Sequence, residues 1–228
     1  CLARGATTVL DFGTAGGLIF DGFRRFVIDT AKTRVKTLML IAAQGLISSN
    51  DTKPSLGELW DIAYCDVEGC VEAVERNRDC VVGIKVRCMD NISNGGKNEG
   101  EGLRRARLAA DATKLPLVVH PANSSLSIQH ILETLRPGDV LTHCFHDKNC
   151  KLVDDATKLW PIVRDKQRDG VQFDVGHGWG SFAWRVARPM LDQGFEPDFL
   201  GSDLHSYNTN GPVFDLVTTL EKFLHLGM

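Results

Sequence analysis

Hydrophobic and polar positions follow two alternating patterns along the chain. Short apolar runs predict buried strands, and the stretches between them carry apolar residues every three or four positions, which is typical of helices. Seven strands are expected, over residues 7–13, 38–43, 81–88, 115–120, 139–146, 171–178 and 199–205. Strict alternation of strand and helix predicts a parallel sheet with right-handed crossovers.

The first helix is predicted over residues 20–34, because Phe23, Phe26, Val27 and Ala31 would share one face. No Gly-x-Gly-x-x-Gly segment follows any predicted strand, which disfavours a dinucleotide-binding sheet. Seven strands and one more beyond the chain would complete an eight-stranded barrel. We therefore expect an α/β fold, a (β/α)8 TIM-type barrel that is incomplete at its N-terminus and at its C-terminus.

Composition narrows the class of protein. The length of 228 residues and the apolar content of 43 % suit one large core, so residues 1–228 are expected to form a single domain. A formal net charge of -3 without a basic block argues against a nucleic-acid partner and leaves a small molecule as the expected one. No apolar run reaches the ~20 residues that cross a bilayer, so we expect no membrane partner. Seven cysteines without a Cys-x-x-Cys pair indicate reduced thiols and a cytoplasmic location.

The two ends of the chain carry an expectation of their own. The chain begins with Cys1 rather than methionine and ends at Met228, directly after a helical pattern. We therefore expect a fragment of a longer barrel. A barrel with a gap exposes two strand edges that pair readily with other chains, so the remaining segment or a homo-oligomer is expected to cover them.

Polar or charged side chains stand at the ends of five apolar runs. They are Lys85, His120, His143, His177 and Asp203. The carboxyl ends of strands meet at one face of a parallel barrel, so these side chains are expected to converge there. A single histidine in such a place is more often a hydrogen-bonded core residue, but several imidazoles and a carboxylate together are the usual ligands of zinc.

Lys85 is the most informative of the five, because the run around it predicts a strand buried on both faces. A buried lysine either extends its head to solvent or becomes a reactive free amine, since burial disfavours the ammonium form. His177 is open to three interpretations: it binds substrate, orients a metal ligand, or hydrogen-bonds Asp174. His130 and His225 lie within helical patterns and are interpreted as structural.

Five segments together resemble the amidohydrolase superfamily, and within it the dihydroorotase-like group of amidohydrolases and deacetylases. They are Gly83-Ile84-Lys85-Val86-Arg87, Val118-Val119-His120, Leu141-Thr142-His143-Cys144-Phe145-His146, Phe173-Asp174-Val175-Gly176-His177-Gly178 and Ser202-Asp203-Leu204-His205. Their order and approximate spacing are those of the family. The resemblance implies a (β/α)8 barrel with one or two divalent metal ions, most often zinc.

The resemblance also implies a role for each residue. Lys85 would carry a carbamate formed from CO2 and bridge two metal ions. His120 and His143 would bind one ion, and Asp203 would bind the other and act as the catalytic base. The expected substrate-binding residues are His177, Arg87 and His205. The implied activity is hydrolysis of an amide, cyclic amide or ester bond of a small molecule by a metal-activated hydroxide.

Three departures from the family pattern qualify this expectation. No His-x-His pair, which in the family lies on the first strand and binds the more buried metal, occurs in the chain. The loop after His120 reads Pro121-Ala122-Asn123-Ser124-Ser125 where the family commonly continues with Gly-Glu. Asp147 stands where a glycine is usual. The chain by itself is therefore expected to bind one metal ion or none, and to be inactive without the missing strand.

Two alternatives belong to other classes of protein. Lys85 on a barrel strand is also the residue that a barrel aldolase would use to form a Schiff base with a carbonyl substrate. The non-enzymatic alternative is an inactive barrel retained for binding. The histidines and the aspartate at neighbouring strand ends favour the hydrolase, because a Schiff-base lysine does not require them.

Overall fold

The structure is a computed structural model that describes residues 6–46 and 57–228. The chain divides into two compact units, which are described separately. The first unit runs to Val119 and includes Ser124–Leu126, and the second contains His120–Asn123 and Ser127–Met228. The expectation of a single domain over residues 1–228 stays a prediction.

The strands and helices alternate as the sequence predicts until the last two helices, which follow one another without a strand between them. In chain order they are β1 (Thr8–Asp11), α1 (Phe20–Phe23), β2 (Arg34–Leu40), α2 (Val67–Arg76), β3 (Val81–Cys88), α3 (Glu99–Thr113), β4 (Leu117–Pro121), α4 (Ile128–Thr134), β5 (Val140–Leu141), α5 (Pro161–Arg168), β6 (Gln172–Phe173), α6 (Trp184–Asp192) and α7 (Leu216–His225). A π-helix, Arg24–Ile28, continues α1, and 3-10 turns lie at Ile62–Tyr64 and Asp90–Ile92.

The first unit is built on a sheet in which β1, β2, β3 and β4 are neighbours in chain order. β1 pairs with β2 and β2 pairs with β3, both in parallel, and Leu40 lies opposite Lys85. Side chains on both faces of β3 are buried, as its apolar sequence predicts. Lys85 is consequently only 6 % exposed.

The second unit has a parallel pair of strands over an aromatic core. Leu141 of β5 lies opposite Phe173 of β6. The ring of Phe173 packs edge-on against Phe195 at 5.3 Å between centroids, and Phe195 in turn packs against Phe145 at 5.9 Å. Phe145 also stacks on Phe223 of α7, at 6.0 Å. Because Phe145 stands two residues after His143, this core supports the segment that carries the histidine.

Two predicted strands end much earlier in the structure than in the sequence pattern, and a third does not form. β5 ends two residues before His143, whose φ is 61°, and β6 ends three residues before Gly176, whose φ is 43°. The stretch 199–205 is not a strand, since only Phe199 forms a bridge, with Asp174, and Asp203 has a φ of 46°. A left-handed residue cannot continue an extended strand, and apolar content alone does not reveal it.

The predicted helix over residues 20–34 is wrong in its second half. The α-helix changes to a π-helix at Arg24, and the π-helix ends at Ile28. A π-turn rotates the following side chains away from the face that a 3.6-residue period predicts. Phe26 and Val27 are therefore exposed, and Ala31 lies beyond the helix.

Two further sequence expectations concern the described residues. Six of the seven cysteines lie there, and all six are buried free thiols, whereas Cys1 lies outside the described residues. None of the helices within residues 6–46 and 57–228 has the length and apolar character that crossing a membrane requires.

Candidate functional site

Two predicted metal ligands meet in the second unit. His143 Nε2 lies 3.0 Å from His120 Nδ1, and the two rings pack edge to face with centroids 4.2 Å apart. His120 stands at the end of β4, and His143 follows β5 in a left-handed turn. His143 is buried and His120 is half-buried. The two neighbouring strand ends thus direct one nitrogen of each imidazole towards the other.

The orientation of the His143 ring is fixed by the backbone of the loop after β6. Its Nδ1 lies 2.6 Å from the carbonyl oxygen of Gly176. A carbonyl oxygen only accepts, so Nδ1 carries the proton and donates it to Gly176. In the neutral ring the lone pair is then on Nε2, the nitrogen that faces His120. This is the arrangement in which an imidazole is ready to bind a metal ion.

Gly176 is required for this contact because a larger residue would occupy the place of the histidine ring. A Cβ atom at position 176 would meet the Thr142 hydroxyl and would come within 2.7 Å of His143 Nδ1. The φ of 43° is a second reason for glycine, since other residues adopt the left-handed region at a cost. Glycine therefore allows the carbonyl to approach the imidazole closely.

The distance between the two imidazoles fits a shared metal ion. At a zinc–nitrogen bond length of ~2.0–2.1 Å and tetrahedral angles, two ligating nitrogens lie ~3.3 Å apart. The observed 3.0 Å between His143 Nε2 and His120 Nδ1 requires only a small separation of the rings. Within residues 6–46 and 57–228, no three His, Cys, Asp or Glu side chains form a group that could hold a metal ion. The pair therefore supplies two of the donors that an ion requires, and convergence with Lys85 and Asp203 stays a prediction.

Asp174 connects the strand ends around His143. This buried carboxylate accepts hydrogen bonds from the Thr142 hydroxyl at 2.6 Å and from the Gly201 amide at 3.0 Å. Its backbone oxygen accepts from the Cys144 amide at 3.1 Å. Asp174 thereby ties together the residues before and after His143 and the segment that leads to Asp203.

Backbone strain marks two of the predicted site residues. His143 and Asp203 have φ values of 61° and 46°, in the left-handed region that non-glycine residues rarely adopt. Each such residue costs on the order of 1–2 kcal/mol, and such strain is concentrated at functional sites. Asp203 is exposed, and its backbone oxygen accepts a hydrogen bond from the Asn208 amide group at 2.8 Å. Its carboxylate borders Gly178, because a Cβ atom there would lie 2.5 Å from Asp203 Oδ2.

His177 is held at both ring nitrogens. Its Nδ1 lies 2.9 Å from the Gly178 carbonyl oxygen, and its Nε2 lies 2.9 Å from Lys222 Nζ. Burial lowers the pKa of His177, the bond to Gly178 raises it, and the charge of Lys222 lowers it again. The sequence left open a hydrogen bond between His177 and Asp174, and the structure shows Gly178 and Lys222 as the partners of the ring instead.

Lys85 lies in the first unit with its stem over a glycine. A Cβ atom at Gly13 would come within 2.8 Å of Lys85 Cδ, and Gly13 has a φ of 84°. The Lys85 Nζ atom lies 5.7 Å from the centre of the Phe12 ring. Gly13 thus leaves the space that the buried lysine occupies, and Phe12 provides an aromatic face beside its nitrogen.

The predicted substrate residue Arg87 is paired with a buried carboxylate. Its Nε and Nη2 atoms both donate to Glu58, the latter at 2.6 Å, and Glu58 is 1 % exposed. A bidentate pair of this kind fixes the plane of the Arg87 guanidinium group. His205, the other predicted substrate residue, accepts a hydrogen bond at Nδ1 from the Tyr207 amide at 3.3 Å.

The loop after His120, where the sequence departs from the family pattern, is held by Glu99. This fully buried carboxylate accepts hydrogen bonds from the Ser124 hydroxyl, the Ser125 hydroxyl at 3.0 Å and the Ser125 amide at 3.1 Å. Glu99 is the first residue of α3, where the helix dipole favours a negative charge. The unusual serines therefore fix the loop that follows His120.

The third departure, Asp147, is also anchored. Its carboxylate binds Arg185 of α6 at 2.6 Å, which ties the loop after His143 to that helix. A cleft of about 640 Å³ lies beside this loop in the second unit. Its lining includes Ser127, Asp147, Asp154 and Trp160, and none of the predicted site residues.

Lys222 is a residue of the site that sequence reasoning missed. The helical spacing of Thr219, Lys222, Phe223 and Leu226 was the available signal, because it places a lysine on the face that turns towards the core. Thr219 and Phe223 are buried in the structure. A charged residue on such a face requires a partner, and here the partner is His177.

The chain is similar to curated bacterial deacetylases. It is 34 % identical over 225 residues to a deacetylase of Brucella anthropi and 33 % identical over 225 residues to one of Agrobacterium fabrum. It is 34 % identical over 227 residues to a deacetylase of Enterococcus faecalis. The matches cover 98 to 99 % of this chain and 54 to 59 % of the relatives, so the chain spans little more than half of their length. No family model matches the chain.

Two solved structures are similar in fold. A dihydroorotase has a TM-score of 0.88 and covers 99 % of this chain, and an adenine deaminase has a TM-score of 0.90 and covers 100 %. Both are 33 % identical to the chain, which covers 60 % of each. Both are TIM-barrel members of the amidohydrolase superfamily. The predicted fold class, an incomplete (β/α)8 barrel, is thereby confirmed.

Proposed function

We infer that the chain belongs to the amidohydrolase superfamily and propose that the whole protein is a metal-dependent hydrolase that cleaves an amide, cyclic amide or ester bond of a small molecule. The observation that carries the proposal is the pair of imidazoles. The Gly176 carbonyl fixes the proton of His143 on Nδ1, and His143 Nε2 then faces His120 Nδ1 at 3.0 Å. The names of the deacetylase relatives agree with a substrate that carries an acyl group.

His120 and His143 would hold the metal ion, with Lys85 and Asp203 as the remaining protein ligands. A divalent ion bound there would lower the pKa of a water molecule and polarise the substrate carbonyl. The Asp203 carboxylate would accept a proton from the attacking water and deliver it to the leaving nitrogen or oxygen. Its exposed position in the described part of the chain leaves the carboxylate within reach of solvent for this exchange.

Finer features of the proposal come from the residues and the family resemblance together. Zinc is the proposed metal, because two imidazole nitrogens are typical of its sites. A carbamate on Lys85 is proposed as the bridge between two ions, since a buried lysine favours the uncharged amine that reacts with CO2. His177, Arg87 and His205 remain the proposed substrate-binding residues. The proposed location is the cytoplasm, and the proposed partners are a small-molecule substrate and a second copy of the chain.

Zinc titration of the whole protein tests the imidazole pair. His120→Gln and His143→Gln should each weaken zinc binding by more than about 100-fold, the upper end of the losses seen for residues that only orient a ligand. His130→Gln is the matched control, because His130 is exposed on α4. Equal zinc affinity in the wild type and the two site variants would refute the pair as ligands.

Activity of the whole protein tests the reaction. Hydrolysis of N-acyl amino acids, hydantoin-like rings or acyl esters should disappear on chelation and return with zinc. Asp203→Asn should reduce kcat by a larger factor than it weakens zinc binding, because the residue acts both as a ligand and as the proton carrier. Hydrolysis that survives metal removal unchanged would contradict the proposal.

Rescue of a lysine variant separates the carbamate from a Schiff base. Lys85→Ala should be inactive, and a short carboxylic acid should partly restore activity, because its carboxylate replaces the carbamate. A carboxylic acid cannot replace a Schiff-base amine. Borohydride trapping of a carbonyl substrate on Lys85 in metal-free protein would instead identify an aldolase.

A further inference from the structure

The turn that hydrogen-bonds His143 has a sequence that allows many backbone conformations. Gly176 and Gly178 flank His177, and both glycines are left-handed, with φ values of 43° and 51°. Glycine reaches many conformations at similar energy, so a Gly-His-Gly turn does not define its own shape. Two backbone hydrogen bonds help, from the His177 amide to the Gly201 oxygen at 2.8 Å and from the Gly178 amide to the Ser202 oxygen at 3.1 Å. The only side chain in the turn is that of His177.

The His177 side chain anchors this turn. Its ring is 3 % exposed and stacks on Phe182, with centroids 4.6 Å apart and planes 15° apart. Since the Gly178 carbonyl only accepts, Nδ1 carries the proton and donates it. The lone pair of the neutral ring is therefore on Nε2, and it requires a donor because the ring is buried.

Lys222 of α7 supplies that donor. Its Nζ lies 2.9 Å from His177 Nε2 and also donates to the Pro212 carbonyl oxygen. The ammonium group thus spans from the Gly-His-Gly turn to the loop before α7. A lysine that only extended its head to solvent would not place Nζ between an imidazole and a carbonyl oxygen. Burial lowers the pKa of His177 and the positive charge of Lys222 lowers it further, which keeps the ring in the neutral, accepting form.

We propose that Lys222 is a positioning residue for the metal ligand His143. Acting through His177, it holds the Gly176–Gly178 turn in the one conformation that places the Gly176 carbonyl on His143 Nδ1. The effect is to keep the proton on Nδ1 and the lone pair on Nε2. The inference rests on the proposed function only in taking His143 to be a metal ligand, because the hydrogen-bond relay itself is a property of the metal-free chain.

Imidazole NMR of the metal-free chain tests the relay directly. Long-range 1H–15N spectra of the wild type should show His143 and His177 protonated at Nδ1. In Lys222→Met, which keeps the length of the side chain and removes its donors, the His143 signals should become a mixture of tautomers. Lys222→Arg restores a donor and should return the wild-type pattern.

Lys166→Met is the matched control for this comparison. Lys166 lies on α5 and its Nζ donates to the Leu135 carbonyl oxygen at 2.8 Å, without a histidine partner among the described residues. The control removes an equivalent lysine–carbonyl bond in the same unit, so it should leave the His143 tautomer unchanged. A loss of general stability would affect both variants, whereas the tautomer should respond only to Lys222.

Zinc affinity supplies the second readout. Lys222→Met should weaken zinc binding about 10-fold, the lower end of the effect of losing a residue that orients a ligand. Lys222→Arg and Lys166→Met should stay within about 3-fold of the wild type. If the whole protein binds no zinc, the proposed function is contradicted, while the tautomer comparison still decides the role of Lys222.

A wild-type His143 tautomer in folded Lys222→Met would overturn the proposal. Should that variant not fold, Lys222→Gln takes its place, because the amide retains an N–H donor of shorter reach. A partial mixture of His143 tautomers in Lys222→Gln would then support the relay. An unchanged His143 spectrum in that variant would refute it.

Discussion

His146 should make the fold sensitive to acid. It is 1 % exposed, and its Nδ1 accepts a hydrogen bond from the Lys148 amide at 3.0 Å. The proton of the neutral ring is therefore on Nε2, which has no hydrogen-bond partner in the part of the chain that the structure describes. Burial lowers the pKa of His146 from 6.5 to about 4, and the charge of Lys148 contributes to the same effect, whereas Asp147 opposes it.

The sign and size of the effect follow from this pKa. Between pH 6.5 and 4 the unfolded chain binds a proton at His146 that the folded chain does not, so acid favours unfolding. Stability from this residue is complete above pH 6.5 and is lost as the pH falls towards 4. The difference of about 2.5 pKa units corresponds to ~3 kcal/mol at 1.36 kcal/mol per unit.

Urea unfolding at several pH values between 7 and 4 measures this loss. His146→Asn retains an acceptor for the Lys148 amide and does not titrate, so it isolates the histidine from other acid-sensitive groups. The wild type should lose ~3 kcal/mol more than this variant over the range. His130→Asn is the control. Because His130 is exposed, the stability of this variant should change with pH in the same way as that of the wild type. Parallel pH profiles for the wild type and His146→Asn would refute the argument.

Two further predictions concern the packing around the site. Gly176→Ala should weaken zinc binding by more than 10-fold and destabilise the fold by roughly 1–3 kcal/mol, because the added Cβ would displace His143 Nδ1. The control is Gly138→Ala, which should leave zinc binding unchanged, because Gly138 has a φ of 88° but an added Cβ would meet nothing within 4 Å. Equal zinc affinities in the two variants would contradict this. Arg87→Leu should lower the free energy of unfolding in urea by roughly 3–5 kcal/mol, because the buried Glu58 carboxylate loses its partner. The double variant Arg87→Leu with Glu58→Leu should regain part of this stability. A double variant no more stable than the single one would show that the ion pair is not the cause.

Strand β3 shows which part of the fold the sequence could define. Its predicted bounds, 81–88, coincide with the observed ones, because a mainly apolar run that is buried on both faces is compatible with little else. Lys85 was therefore placed correctly on a covered strand. The same reasoning brought His120 and His143 to neighbouring strand ends, where the structure joins them.

Backbone conformation accounts for what the sequence did not reveal. His143 and Asp203 adopt left-handed backbones that neither residue prefers, so the predicted strands continued through them. The change from α-helix to π-helix at Arg24 likewise leaves no trace in the apolar spacing. Partners distant in sequence, such as Glu58 for Arg87, depend on side-chain geometry that periodicity does not encode.

The buried Glu99 carboxylate should restrict which residues homologous sequences have at the positions that hydrogen-bond it. It takes hydrogen bonds from both Ser124 and Ser125, and without them a fully buried negative charge would remain on the first turn of α3. Substitution at either place alone is therefore costly, whereas a joint replacement is tolerable. Positions 99, 124 and 125 should consequently covary across homologous sequences, and a library that randomises the loop after His120 should be enriched in functional members only when residue 99 varies with it.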